Sequence, residues 1–322
     1  MPIEDGINLL TVIKATSMYR RSRKHNHVSD FLPPTMTEFK ETFEKDTTSP
    51  VILSTLKDGN IVRGLSGVPD VGPVLLVGYH MLMGLELGPL TEAFLREKKV
   101  VVHGMAHPML FSSKIESSQQ EISRHDLMRV FGAVPVSPIN MYRLFSKKSF
   151  VLLYPGGAQY KLFWPDQAEF VRMAAHFGVT IVPFGVVGED DIAELVVDYN
   201  DLQSIPFVKE WIRQVNEDTV RIRADVNGEL SNQDLYIPGI LPKIPGRFYY
   251  LFGKPIETKG MKDVLEDRTN ANALYLQTKS EIERIITYLR RKREEDPYRS
   301  IFQRALYQAS WSSTQHAPTF QL

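Results

Sequence analysis

Cysteine is absent from this chain of 322 residues. That excludes a disulfide scaffold, a zinc ribbon, thiol catalysis and iron–sulfur ligation. It leaves the redox compartment open. An excess of charge is absent too: 38 Lys and Arg stand against 38 Asp and Glu. No net field recruits nucleic acid, and no nucleic-acid partner is expected. A long apolar run is also missing. The nearest, residues 71–90, is interrupted by His80, Glu86 and several glycines and prolines, short of the roughly 20 apolar residues a bilayer crossing takes. The start, Met1-Pro2-Ile3-Glu4-Asp5, lacks the apolar core of a signal peptide. It also lacks the arginine- and serine-rich, acid-poor character of a transit peptide. A soluble or peripheral protein is the expectation. No H-E-x-x-H, Walker, dinucleotide or G-x-S-x-G motif occurs, and no internal repeat.

What is present divides near residue 50. Residues 1–49 read as a helical lead or linker. Gly6 to Tyr19 is amphipathic, Arg20 to His25 is basic, and Pro33-Pro34 breaks the chain before a short capped helix from Thr37 to Glu44. Residues 50–322 read as one α/β domain. Val51–Leu56 and Ile61–Leu65 form a hairpin about Asp58-Gly59-Asn60. Strand and helix patterns then alternate: strand 74–77, helix 84–98, strand 100–103, a helical piece 126–130, strand 151–154, helix 167–177, strand 179–184 and a late strand within 248–255. A charged amphipathic helix runs from Gln277 to Arg293, with Glu281 and Arg284 one turn apart. This order predicts short buried strands with helices against them.

Two segments carry the chemistry. Leu75-Leu76-Val77-Gly78 delivers His80 to a strand-to-helix turn, with Glu86 six positions later. A histidine there is accessible and suits proton abstraction from an alcohol. Glu86 can orient the ring only if His80 lies in the turn before the helix. The alternative is a hydrogen-bonded core histidine. Val151-Leu152-Leu153 leads into Tyr154-Pro155-Gly156-Gly157. Its glycines let successive amides face an oxyanion or phosphate, unless it is an ordinary turn. A base and a donor-rich turn are what acyl transfer to a hydroxyl requires. His103 and His107 are four apart, but one is in a strand pattern and Pro108 follows the other, so no metal is expected. Glu189-Asp190-Asp191 reads as a capped helix start. Met81, Leu82, Met83, Leu85 and Leu87 read either as an apolar channel or as core. Residues 240–248, with prolines, apolars and cations and no helical period, read as an interfacial or a covered loop.

The chain resembles the C-terminal half of the plant phytyl ester synthases, relatives of diacylglycerol acyltransferases and glycerolipid acyltransferases. The resemblance rests on Gly78-Tyr79-His80-Met81-Leu82-Met83-Gly84-Leu85-Glu86-Leu87, Gly104-Met105-Ala106-His107-Pro108, Phe131-Gly132-Ala133-Val134-Pro135-Val136 and Leu153-Tyr154-Pro155-Gly156-Gly157. It extends through Tyr160-Lys161-Leu162-Phe163-Trp164-Pro165, Ile181-Val182-Pro183-Phe184-Gly185, Phe252-Gly253-Lys254-Pro255-Ile256 and Asp296-Pro297-Tyr298-Arg299. It implies a glycerolipid-acyltransferase-like domain: a mixed sheet flanked by helices, behind an N-terminal helical lead from the region that links to a hydrolase half. It implies acyl transfer from acyl-CoA, acyl-carrier protein or a lipid to phytol or diacylglycerol, with no cofactor beyond the acyl co-substrate.

On that resemblance His80 is the general base. Glu86 is its partner, one position later than the aspartate of the family's His-x4-Asp pattern. Tyr154, Pro155, Gly156, Gly157 and Lys161 bind substrate or donor. Expected partners are lipids, a membrane or plastoglobule surface and a hydrolase domain supplied in trans. The expected location is the chloroplast, at plastoglobules or the thylakoid surface. One departure is plain: the family carries an arginine- and glutamate-bearing stretch after the Gly-Gly pair, whereas only Ala158 and Gln159 separate Gly157 from Tyr160. Lys161 would stand in for the arginine without its bidentate fork. That shortening motivates a second reading, a lipid-binding remnant with impaired catalysis. A third is a lipid or thioester hydrolase, with water as acceptor.

Overall fold

The computed structural model describes residues 26–35, 37–38, 49–81, 84–106, 108–111, 128, 130–156, 168–197, 204, 206–207, 209–210, 213, 239–243, 246–311 and 317–322. Most of the helical lead, Gly157 and Lys161 lie outside them. The strands are β1 (Val51–Thr55), β2 (Ile61–Arg63), β3 (Val74–Val77), β4 (Val102–Ala106), β5 (Val134–Pro135), β6 (Phe150–Leu153), β7 (Thr180–Val187), β8 (Ala193–Val197), β9 (Gly239–Pro242), β10 (Tyr249–Phe252) and β11 (Ile256–Glu257). The α-helices are α1 (Leu87–Ala93), α2 (Pro138–Ser146), α3 (Glu169–Phe177), α4 (Lys262–Glu266), α5 (Arg268–Glu294) and α6 (Ile301–Trp311).

The main sheet runs β2-β1-β10-β7-β3-β6-β4-β5, with β11 also paired to β7. Five neighbouring strands, β7 through β5, are parallel. β10 runs antiparallel to β7, and β1 runs alongside β10. β8 and β9 form a separate antiparallel ribbon. The expected mixed sheet with flanking helices is therefore present.

Every residue of β3, β6 and β7 is buried, because both faces of the sheet are covered. That is why these strands read as continuous apolar runs. The two faces sort by the period of two. Leu75, Val77, Val151, Leu153 and Leu251 pack with Leu144, Val171, Ala174 and Ile282 from α2, α3 and α5. Val74, Leu76, Phe150, Leu152, Phe184 and Phe252 pack with Leu90 and Phe94 on the other side.

Several boundaries move from the sequence reading. Strand 100–103 lies at Val102–Ala106. The first helix begins at Leu87, not Gly84. The long helix begins at Arg268, where Asp267 caps the amides of Thr269 and Asn270 at 2.9 and 3.0 Å. Glu189–Asp191 is a 3-10 turn without a side-chain cap, not a capped helix start. Asp190 pairs with Arg293, and Asp191 takes Arg299 in a two-pronged pair at 2.6 Å. Of the two readings of residues 240–248, the covered loop holds at Gly246, Arg247 and Phe248, which are buried and outside any strand, while Gly239–Pro242 is strand. Among the described residues no helix is long and apolar enough to cross a membrane, and no acid, histidine or cysteine cluster could hold a metal ion.

Candidate active site

The site forms where β3 and β6 end in register, Val77 against Leu153, beside β7, which aligns with Val77 at Pro183 and runs on to Val187. The segments beyond these ends carry His80, Tyr154 and Glu189. Such strand ends are where open α/β sheets bind ligands. Gly78 fits because a Cβ there would come within 2.8–2.9 Å of the Phe184 ring and carbonyl oxygen. Tyr79 belongs to the same face as Val77 and donates to Glu283 of α5 at 3.3 Å. Gly84, at φ +71°, turns the chain back, and a Cβ on it would press His80 Cε1 at 3.2 Å.

This return puts Glu86 at the N-cap of α1, and His80 lies in the preceding turn, the one arrangement in which the two can pair. Glu86 does not cap its helix. Its wholly buried side chain points at the histidine, with Oε1 3.2 Å from His80 Nδ1. The Met81 amide also reaches Oε1, at 3.3 Å, and the Tyr250 hydroxyl donates to the Glu86 carbonyl oxygen at 2.7 Å. Nδ1 lies 2.5 Å from the Met81 carbonyl oxygen. Both neighbours of Nδ1 are acceptors, so the neutral ring carries its proton there and Nε2 keeps the lone pair. Burial works against the charged ring, but the hydrogen bond and charge of Glu86, the Met81 carbonyl and the charge of Glu189 outweigh it. The His80 pKa is raised above its ordinary 6.5. The His80 side chain remains 21% exposed.

Tyr154 packs its ring on His80, with centroids 4.5 Å apart and planes tilted 42°. Its hydroxyl is buried, with no hydrogen-bond partner among the described residues. Pro155 and Gly156 are buried in the turn after β6. Gly157 and Lys161 lie outside the described residues, as do Leu82, Met83 and His107. Met81 and Leu87 are half-buried against the core, while Leu85 is 37% exposed. His103 bonds the Gly132 carbonyl oxygen at 3.1 Å, and burial lowers its pKa.

Three features escaped the sequence reading. Glu189 is a buried carboxylate at the end of β7 whose charge is felt by His80 and Tyr154. Tyr250 secures the N-cap residue, and Gly84 makes room for the imidazole. The signal for Gly84 was present, a glycine between the histidine and the carboxylate. For Glu189 it was hidden, because a triplet of acids does not show which one turns inward.

Phytyl ester synthase 1, chloroplastic, of Arabidopsis thaliana is 53% identical to this chain over 336 aligned residues, covering 99% of the chain and 47% of that protein. Phytyl ester synthase 2, chloroplastic, of the same plant is 49% identical over 334, covering 99% and 48%. The chain is a homologue of the phytyl ester synthases. It spans about half the length of these two curated relatives. No protein-family model matches it. The 1-acyl-sn-glycerophosphate acyltransferase PlsC of Thermotoga maritima aligns over 87% of this chain and 89% of that structure, at 9% identity and a TM-score of 0.40. That likeness bears on neither site nor activity.

Proposed function

We propose that the chain, residues 50–322 in particular, is an O-acyltransferase that moves a fatty acyl group to a lipid alcohol, phytol or diacylglycerol. The observation that carries this is the Nδ1-protonated His80, backed by buried Glu86, in a chain homologous over 99% of its length to phytyl ester synthases. His80 Nε2 takes the hydroxyl proton as the acceptor oxygen attacks the acyl carbonyl. Glu86 stabilises the imidazolium that results. As the tetrahedral intermediate collapses, the imidazolium returns the proton to the leaving thiolate or alkoxide. No acyl-enzyme and no cofactor is invoked. The donor is acyl-CoA, acyl-carrier protein or a lipid, and the turn at Tyr154-Pro155-Gly156-Gly157 with Lys161 is the proposed donor side. The proposed setting is a lipid surface in the chloroplast, plastoglobule or thylakoid, with a hydrolase half as a partner in trans.

The two-residue junction between Gly157 and Tyr160 favours a second reading, a lipid-binding remnant of such an enzyme. One assay separates the two. Purified chain and His80→Ala are given labelled acyl-CoA or acyl-carrier protein with phytol or diacylglycerol in vesicles. Ester from the parent and not the variant supports the transferase. Ester from neither, appearing once a longer stretch is restored after Gly157, supports the remnant. Free fatty acid without ester supports the hydrolase.

A further inference from the structure

Two buried polar atoms at the site have no hydrogen-bond partner among the described residues: the Tyr154 hydroxyl and Glu86 Oε2. They belong to neighbouring groups. Burial first, and then the Glu86 charge, push the Tyr154 pKa well up, so the phenol is a protonated donor at every physiological pH. Oε2 of an ionised carboxylate can only accept. A donor and an acceptor, both removed from water, therefore sit on two interacting side chains that each contact the His80 ring. Buried polar atoms are seldom left unpaired.

We propose that Tyr154 is a positioning residue: its hydroxyl is the donor reserved for Glu86 Oε2, and it holds the carboxylate so that Oε1 stays on His80 Nδ1. This deepens the transferase reading and rests on it for its catalytic meaning. The ring contact with His80 alone gives no reason for a tyrosine, since phenylalanine would pack the same face. The hydroxyl is what phenylalanine lacks. The groups facing the dyad are Glu86 on the approach to α1, the Met81 carbonyl, Tyr154 after β6, Glu189 after β7 and Tyr250 on β10. Of these, Tyr154 is placed to share the charge on Oε2. A donor there stabilises the carboxylate most when the ring is neutral, so losing it makes the pair bind a proton more readily.

The test uses the full chain, labelled at histidine Cε1, followed by NMR against pH. The His80 resonance is identified by its loss in His80→Ala. Tyr154→Phe keeps the ring and is expected to raise the His80 midpoint by about one pH unit. In the Glu86→Gln background the same change is expected to leave the midpoint where it was. An unmoved midpoint in the first case, or an equal shift in both, overturns the proposal. This readout needs no substrate, so it stands apart from the transfer assay. If the parent makes no ester, the transferase reading fails while the titration still decides the role of Tyr154. Where the parent does make ester, Tyr154→Phe is expected to lower kcat about tenfold, leave KM nearly unchanged and move the acid limb of the rate profile upward. A changed KM with an unmoved acid limb would instead mark Tyr154 as a substrate contact.

Discussion

Glu86 and Asp296 both have fully buried carboxylates, and the chain surrounds them in opposite ways. Asp296 is saturated. Arg247 Nη1, the Tyr249 hydroxyl and Thr319 Oγ1 reach Oδ2 at 3.0, 2.8 and 3.0 Å, and the Tyr298 amide reaches Oδ1 at 2.8 Å. Arg247 goes on to the carbonyl oxygens of Ala317 and Pro318, which ties residues near the chain's end to the segment entering β10. Glu86 has a histidine and one amide on Oε1, and no partner among the described residues on Oε2. A buried charge held from every side fixes a fold. One that spends an oxygen on a titrating ring is coupled to the proton that ring takes up and releases.

Substitutions at either carboxylate's surroundings separate the two roles. The largest effect is expected at His80. His80→Ala should lower transfer per folded molecule by roughly 100- to 10,000-fold, the usual contribution of a positioned base. Equal turnover in parent and variant would remove His80 from the chemistry. Next comes Asp296→Ala, which strands the buried guanidinium of Arg247. Chemical denaturation should show a loss of about 3–5 kcal/mol, with turnover per folded molecule unchanged. The smallest effect belongs to pH. The charge of Glu189 raises the His80 pKa, and a base works only when unprotonated. Activity should therefore fall as pH drops through a midpoint above 6.5. Glu189→Gln should move that acid limb a little toward lower pH. A limb that moved upward would contradict the stated role of Glu189.

Much of the frame was legible because burial on both faces forces continuous apolar strands. Val74–Val77 needed no correction. The His80–Glu86 spacing was legible only conditionally. Six residues apart on a helix they diverge, and Gly84 supplies the turn that lets them meet. The start of the long helix was obscured because Arg268-Thr269-Asn270 is polar and weakly periodic, and only the Asp267 cap marks it. The direction of the Tyr154 side chain was not legible at all. A strand-end tyrosine beside a Pro-Gly turn reads as a ligand contact, and only the fold shows its ring packed on His80 with the hydroxyl buried. Residues 240–248 left an interfacial and a covered loop open, and burial of Arg247 and Phe248 favours the covered one. Arg247 looks like a surface cation until its distant partners, Asp296 and the chain end, are in place.

Glu86 thus serves chemistry and Asp296 structure, a division that Glu86→Gln puts at stake when unfolding free energy and turnover are measured on one preparation. Stability is expected within about 1 kcal/mol of the parent and turnover lowered about 10- to 100-fold, with the acid limb shifted to lower pH because His80 has lost its carboxylate. A stability loss of about 3 kcal/mol or more, with turnover per folded molecule unchanged, would contradict it.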